Sequence, residues 1–178
     1  MTDLPLTTVE IAPTGSVRSS VIWMHGLGAD AHDFEPIVPE LRLPEALGVR
    51  FVFPNAPVRP VTINNGMRMR AWYDVLSLDL PRQEDPEGVY ASERAIYALL
   101  EREKQRGVSA DRIVLAGFSQ GGAMALHTGL RYPERLAGIL ALSCYIPLTS
   151  RLNSERRPAN QTTPLFMAHG DCDAVIPM

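Results

Sequence analysis

The sequence predicts an α/β fold: a mostly parallel sheet with helices on both faces, in a single domain spanning residues 1–178. Three observations predict it. Short runs that are apolar at every position alternate with longer runs of helical period, as buried parallel strands and their covering helices do. The strand-like runs are apolar on both faces, which indicates a sheet covered on both sides and joined by right-handed crossovers. No repeat, low-complexity tract or linker divides the chain.

Taken in order, Ser19-Ser20-Val21-Ile22-Trp23-Met24 reads as a buried strand. Residues 32–41 read as a short helix, with Phe34, Ile37, Val38 and Leu41 on one face. Residues 49–53 form the next strand, and Pro54, Pro57, Pro60 and Asn64-Asn65-Gly66 mark a long irregular connection. Asp85-Pro86-Glu87 is a helix start, with an N-cap aspartate, proline at the first helical position and an acid in the first turn. That helix runs to about Arg106, stops at Gly107, and carries an apolar stripe of Val89, Ile96, Leu99 and Leu100. Residues 112–116 are a strand, 123–130 a helix, 136–142 a strand, 149–163 a polar loop and 164–168 a last strand.

Bulk composition narrows the function. With 46% hydrophobic and 21% charged residues over 178 positions, the chain has the balance of an ordinary globular domain, which excludes disordered and collagen-like classes. A net charge of -3 with scattered Lys and Arg gives no basic stripe, so nucleic acid is not an expected partner. The start, Met1-Thr2-Asp3-Leu4-Pro5, lacks a basic region followed by an apolar core, and no apolar run reaches about 18 residues. The expectation is a cytoplasmic protein without a membrane span. Cys144 and Cys172 have neither the number for a disulfide framework nor the spacing for zinc; they are expected as reduced thiols filling small core spaces, with a pocket-lining role as the alternative.

In open α/β sheets the ligand site lies beyond the carboxyl ends of the strands, so the residues that follow each strand carry the functional signal. Gly117-Phe118-Ser119-Gln120-Gly121-Gly122 follows a strand and opens a helix, the context of a nucleophile elbow, where glycines on either side of the serine let strand and helix meet. The alternative is a glycine-rich turn with an ordinary serine. His25-Gly26-Leu27-Gly28 leaves backbone N–H groups free for a developing oxyanion, and Gln120 would supply a second. Ser143, Cys144 and Tyr145 follow the third of these strands, and His169-Gly170-Asp171-Cys172-Asp173 the last. A serine hydroxyl needs a base, and the base needs a carboxylate to hold its tautomer. The order Ser, Asp suits an α/β-hydrolase, in which histidine comes third, yet no histidine follows Asp173. Among the four present, His25 is expected to brace its loop, His32 to face solvent and His169 to pack in a turn. His127, eight residues past Ser119 and so roughly 12 Å along a helix, is too far to take the serine proton.

The segments WMHGLGAD, PNAP, AWYD, GFSQGG and HGDCDAVIP, in this order from Val21 to Pro177, resemble the carboxylesterase and acyl-protein thioesterase family, also known as phospholipase/carboxylesterases, within the α/β-hydrolase superfamily. The resemblance implies a serine hydrolase of carboxylic esters or thioesters that works through an acyl-enzyme on Ser119, with no metal and no cofactor. It implies an oxyanion hole from the N–H groups of Leu27 and Gln120, and Asp173 as the triad acid, with Asp171 the competing carboxylate. Leu27, Met69, Trp72 and Leu76 are expected at an apolar acyl site, core packing being the alternative for Met69 and Leu76. The implied partners are a small ester or an acyl thioester, a lipidated protein among them, and a homodimer is within the family's range.

The sequence departs from the family's pattern at its end. The family continues past the acid with a helix, a strand, a Gly-His loop and a closing helix, on the order of 35 to 45 residues. The expectation is therefore a fold missing its last strand and closing helix, a triad histidine beyond Met178, and little activity in the 178 residues alone. Two other classes stand beside this one. A catalytically dead hydrolase fold would bind an acyl ligand or partner, and a dienelactone-type hydrolase fits less well because its elbow carries cysteine.

Overall fold

A computed structural model describes residues 5–77 and 83–176; Pro177 and Met178, the end of the last motif, and Met1 to Leu4 lie outside the described residues. Six strands form the main sheet: β1 (Thr8–Ile11), β2 (Ser19–Met24), β3 (Val49–Pro54), β6 (Ile113–Phe118), β7 (Gly138–Leu142) and β8 (Leu165–Ala168). Their order is β1-β3-β2-β6-β7-β8, and every pairing is parallel except β1 on β3. This is the expected α/β class. β2 pairs with β3 on one side and β6 on the other, so the direction of winding reverses between β2 and β6. The crevice at such a reversal is where open α/β sheets bind ligands, and here it is bounded by the residues after β2 and after β6.

One face of the sheet is covered by α2 (Pro86–Gln105) and α3 (Gln120–Arg131). The expected start of α2 is present: the Asp85 side chain accepts the Gly88 amide at 3.0 Å and Pro86 opens the helix. Val89, Ile96, Leu99 and Leu100 of its apolar stripe are buried against Ile22, Leu115 and the apolar residues of α3. On the opposite face Trp23, Phe51, Phe53 and Ala116 pack with Phe34, Ile37 and Val38.

Several local expectations need correction. The helix expected over residues 32–41 is one turn, α1 (Ile37–Glu40), and Leu41 is exposed. Pro36 and Pro39 explain this, since neither can donate a backbone hydrogen bond and each restricts the residue before it. The irregular connection contains a hairpin, β4 (Val58–Val61) with β5 (Met67–Arg70), closed by left-handed Asn65 and Gly66. The polar loop contains α4 (Thr149–Glu155), and β1 is a strand that was not anticipated. Coverage of the sheet on both faces does not extend to β8, where Leu165, Phe166 and Met167 are 48%, 60% and 52% exposed. Cys172 is exposed and so is not core filler, whereas Cys144 is buried.

A buried ion pair ties α2 to the sheet. Glu103, fully buried, accepts Arg50 Nη1 of β3 at 2.8 Å, the Ser20 hydroxyl of β2 and Arg106 Nη1 at 2.8 Å. Removing one partner of such a group strands the other charges without water, at a cost of about 3 to 5 kcal/mol. Glu103→Ala should therefore lower unfolding free energy by that amount in urea titrations, and a loss below about 1 kcal/mol would contradict the assignment.

Candidate active site

Ser119 sits between β6 and α3 with φ 52° and ψ -120°, a backbone conformation that non-glycine residues rarely adopt. Its amide donates to Leu142 O of β7 at 2.8 Å, and its carbonyl accepts the Ala123 amide at 2.9 Å, which anchors the turn to strand and helix. The flanking glycines are required by contact. A Cβ on Gly117 would lie 2.3 Å from the Gly121 carbonyl carbon, and one on Gly121 would lie 2.2 Å from Met24 O and 2.6 Å from His25 O. A Cβ on Gly122 would meet Cys144 Sγ at 2.9 Å, which also accounts for the burial of that thiol. The start of α3 is thus pressed against the end of β2.

The loop after β2 meets the same point. A Cβ on Gly26 would stand 3.5 Å from Ser119 Cβ. His25 is buried, and its Nδ1 donates to Gly26 O at 2.7 Å while Nε2 accepts the Ala56 amide at 3.0 Å. Both ring nitrogens are engaged, and burial holds the ring neutral by lowering its pKa. His25 braces its loop, as expected. Gly28, with φ 79°, donates its amide to Arg70 O of β5 at 2.9 Å, and Met69 Sδ would stand 3.7 Å from a Cβ at Gly28. The hairpin therefore flanks the loop, and Met69 is half-buried beside it. Between these fixed points the Leu27 amide has no backbone acceptor among the described residues. As the first residue of α3, Gln120 has an amide with no acceptor within its helix.

At the far side of the same sheet end, Asp173 Oδ1 accepts the amides of Val175 and Ile176, each at 2.9 Å, and Oδ2 lies 3.5 Å from His169 Nε2. The Ile176 and then the Val175 hydrogen bond hold the carboxyl below its ordinary pKa. Asp171 is exposed. His169 Nε2 donates to Ile176 O at 2.6 Å, so the ring packs in the turn as expected. With β6, β7 and β8 each spaced by about 4.8 Å, His169 follows a strand that is two positions from that of Ser119. His32 is exposed and its Nδ1 lies 2.7 Å from Glu35 Oε2. His127 is wholly buried on α3, against the Tyr90 ring at 5.7 Å and with Nε2 3.7 Å from Glu93 Oε1. Among the described residues no group of three or more His, Cys, Asp or Glu is arranged to hold a metal ion. No helix among them is long and apolar enough to cross a membrane.

Burial, with Arg131 adding to it, pushes His127 down to about 4 from 6.5. Between these values the unfolded chain binds a proton that the native chain refuses, so stability is lost as pH falls from 6.5 towards 4. From about pH 7 to about pH 4.5 the loss attributable to this residue should be on the order of 2 to 3 kcal/mol. Urea midpoints for the wild type and His127→Gln should diverge over this range; parallel pH profiles would refute the assignment.

Two further residues expected at an acyl site, Trp72 and Leu76, have these surroundings. Trp72 is fully buried and donates its indole N–H to His25 O at 2.9 Å, so it presents no open wall. Leu76 faces an open cavity of about 630 Å³ lined by Asp74, Glu84, Asp85, Glu87, Tyr90 and Arg151, a set that does not include Ser119. The sequence reading also missed the Gln120 side chain, whose Oε1 accepts the Trp72 amide and whose Nε2 donates to Tyr73 O, both at 2.8 Å. Nothing in the local pattern marks these long-range bonds. The Asn65-Gly66 pair between β-like runs is, by contrast, a hairpin signal that could have revealed the strand flanking Gly28.

The family model for Phospholipase/Carboxylesterase matches residues 7–178. The chain belongs to the phospholipase/carboxylesterase family. Within it, the chain is 43% identical over 167 residues to acyl-protein thioesterase 1 of Neurospora crassa, covering 89% of this chain and 68% of that protein. It is 40% identical over 174 residues to acyl-protein thioesterase 1 of Yarrowia lipolytica, covering 97% and 77%. Among solved structures, Arabidopsis thaliana SOBER1 superposes with a TM-score of 0.86 at 32% identity, over 91% of this chain and 78% of that one. Acyl-protein thioesterase 2 of Zea mays gives a TM-score of 0.82 at 29% identity, over 96% and 78%. These phospholipase/carboxylesterase family relatives share the α/β-hydrolase fold with the chain.

Proposed function

We propose that the chain is a serine hydrolase of carboxylic esters and thioesters, acylated on Ser119. One observation carries the reading: the left-handed backbone at Ser119, held at the end of β6 where three glycines let α3, β6 and the end of β2 close on one another. Similarity to acyl-protein thioesterases supports the thioester as substrate and a lipidated protein as its source.

In this reading Ser119 Oγ attacks the acyl carbonyl carbon as its proton passes to a base. The carbonyl π electrons move onto oxygen, and the Leu27 and Gln120 amides receive that oxyanion. Collapse of the adduct expels the thiolate or alkoxide, which takes the proton, and leaves an ester on Ser119. Water then repeats the sequence and releases the acid. Asp173 is the carboxylate that orients the base. Its Oδ1 is occupied by two amides, which leaves Oδ2 for a partner, whereas Asp171 stands exposed. The proton acceptor is the one component that the four histidines do not provide. His25 has both nitrogens engaged, His127 is buried within α3, His32 pairs with Glu35, and His169 Nε2 donates to a carbonyl.

Free imidazole in solution should therefore raise hydrolysis of a p-nitrophenyl ester by the 178-residue chain in a saturable manner. A second reading is an acyl-binding protein without turnover. That reading predicts ester binding with no dependence on imidazole, and such a result would displace the first.

A further inference from the structure

We propose that Trp72 and the side chain of Gln120 are positioning residues that hold the two oxyanion donors in register, an inference that rests on the hydrolase reading above. The donors belong to separate parts of the fold, Leu27 to the loop after β2 and Gln120 to the first position of α3. A pair of amides works as an oxyanion hole only if both point at one spot to within a fraction of an ångström. Direct contact between the glycines sets how closely the two parts approach. The His25 ring and the Gly28 amide hold the two ends of the loop, and the peptide that joins His25 to Gly26 needs a partner of its own.

The segment from Ala71 to Tyr73 supplies that partner. The Gln120 carboxamide accepts the Trp72 amide and donates to the Tyr73 carbonyl, both at 2.8 Å, so it grips this segment as a neighbouring strand would. The Trp72 carbonyl accepts the Ser92 hydroxyl of α2, which fixes the segment from behind. From this held backbone the indole N–H reaches across to His25 O at 2.9 Å, and the two rings lie 5.5 Å apart. The carbonyl it captures belongs to the peptide that enters Gly26, two residues before the Leu27 amide. Trp72, Gln120, His25 and Ser92 are at most 4% exposed, so water cannot substitute for any of these bonds. The indole is a donor only and the carboxamide offers one donor and one acceptor here, which matches the carbonyl, amide and carbonyl they meet. The chain of contacts therefore runs from the first residue of α3, through Trp72, to the loop that bears Leu27. In this reading the Trp72 indole and the Gln120 carboxamide act through the two donor amides rather than on the substrate.

The test uses the full 178-residue chain and a ¹³C-labelled alkyl trifluoromethyl ketone, which forms a tetrahedral hemiketal on a reactive serine without needing turnover. The hemiketal hydroxyl ionises at a pH that reports the strength of the oxyanion hole and is read from the carbon chemical shift. Trp72→Phe keeps an aromatic ring but removes the N–H, and Gln120→Met keeps the length but removes both carboxamide bonds. Each should weaken the adduct about tenfold and raise its ionisation by about one pH unit, a misaligned donor costing less than the roughly 10²-fold of a deleted one. Thermal unfolding and circular dichroism are recorded alongside; if Trp72→Phe does not fold, Gln120→Met decides. A folded variant whose hemiketal ionises at the wild-type pH overturns the inference, whatever its change in stability. A wild-type chain that forms no adduct on Ser119 in imidazole buffer overturns the hydrolase reading itself, and the inference with it.

Discussion

Ser119→Ala is expected to abolish the saturable, imidazole-dependent part of ester hydrolysis. The reason lies in how the reaction divides. In worked serine hydrolases, oxyanion hole and binding without the nucleophile retain only about 10³ to 10⁴ over water, and loss of the nucleophile costs about 10⁶ in turnover. Here the base is borrowed from solution, so its effective concentration is low and the margin above the uncatalysed rate is narrower. Removing Oγ then leaves no covalent route by which the protein can act. The substitution itself should be quiet for the fold, since the bonds that anchor the elbow, to Leu142 O and from the Ala123 amide, are made by the Ser119 backbone. Unfolding free energy should stay within about 0.5 to 1 kcal/mol of wild type while activity disappears. Retention of more than half of the imidazole-dependent rate would contradict the role assigned to Ser119.

Gly121→Ala should damage stability and activity together. The added Cβ would lie 2.2 Å from Met24 O and 2.6 Å from His25 O, and both atoms are backbone at the end of a central strand. No side-chain rotation can relieve such contacts, so α3 must move away from β2. Overpacking that side chains absorb costs about 1 to 3 kcal/mol, and a backbone collision should reach or exceed about 3. The same displacement separates the Gln120 amide from the loop carrying Leu27, so any folded fraction should lose at least about tenfold in rate. Gly15→Ala is the matched control, because nothing lies within 4 Å of its added Cβ. It should change stability by no more than about 0.5 kcal/mol. Equal effects of the two substitutions would refute the account of the elbow.

What the sequence made legible follows physical locality. The Asp85-Pro86 helix start, the glycine punctuation around Ser119 and the strand β2 are local signals, and each element appears where those signals put it. α1 is one turn because Pro36 and Pro39 interrupt the helix that apolar spacing alone predicts. α4 and β1 were unreadable for another reason. β1 is a four-residue edge strand with no buried position, and its pairing with β3 spans more than 35 residues of sequence. The candidate site divides in the same way. Ser119 and the loop with Leu27 were legible as motifs, and the fold brings them side by side. The family resemblance and its apolar ring put Trp72 among the expected acyl-site residues. Its environment is a carbonyl 47 positions away in sequence, which no window of spacing can reveal.

The central claim is that Ser119 becomes acylated. Acid-quenching the 178-residue chain after incubation with an acyl thioester in imidazole buffer, followed by peptide mapping in a mass spectrometer, tests it most directly. The account predicts the acyl mass on the peptide bearing Ser119, as an oxygen ester that survives neutral hydroxylamine and is absent from Ser119→Ala. An acyl group on the exposed thiol of Cys172, or none on the Ser119 peptide, would contradict it.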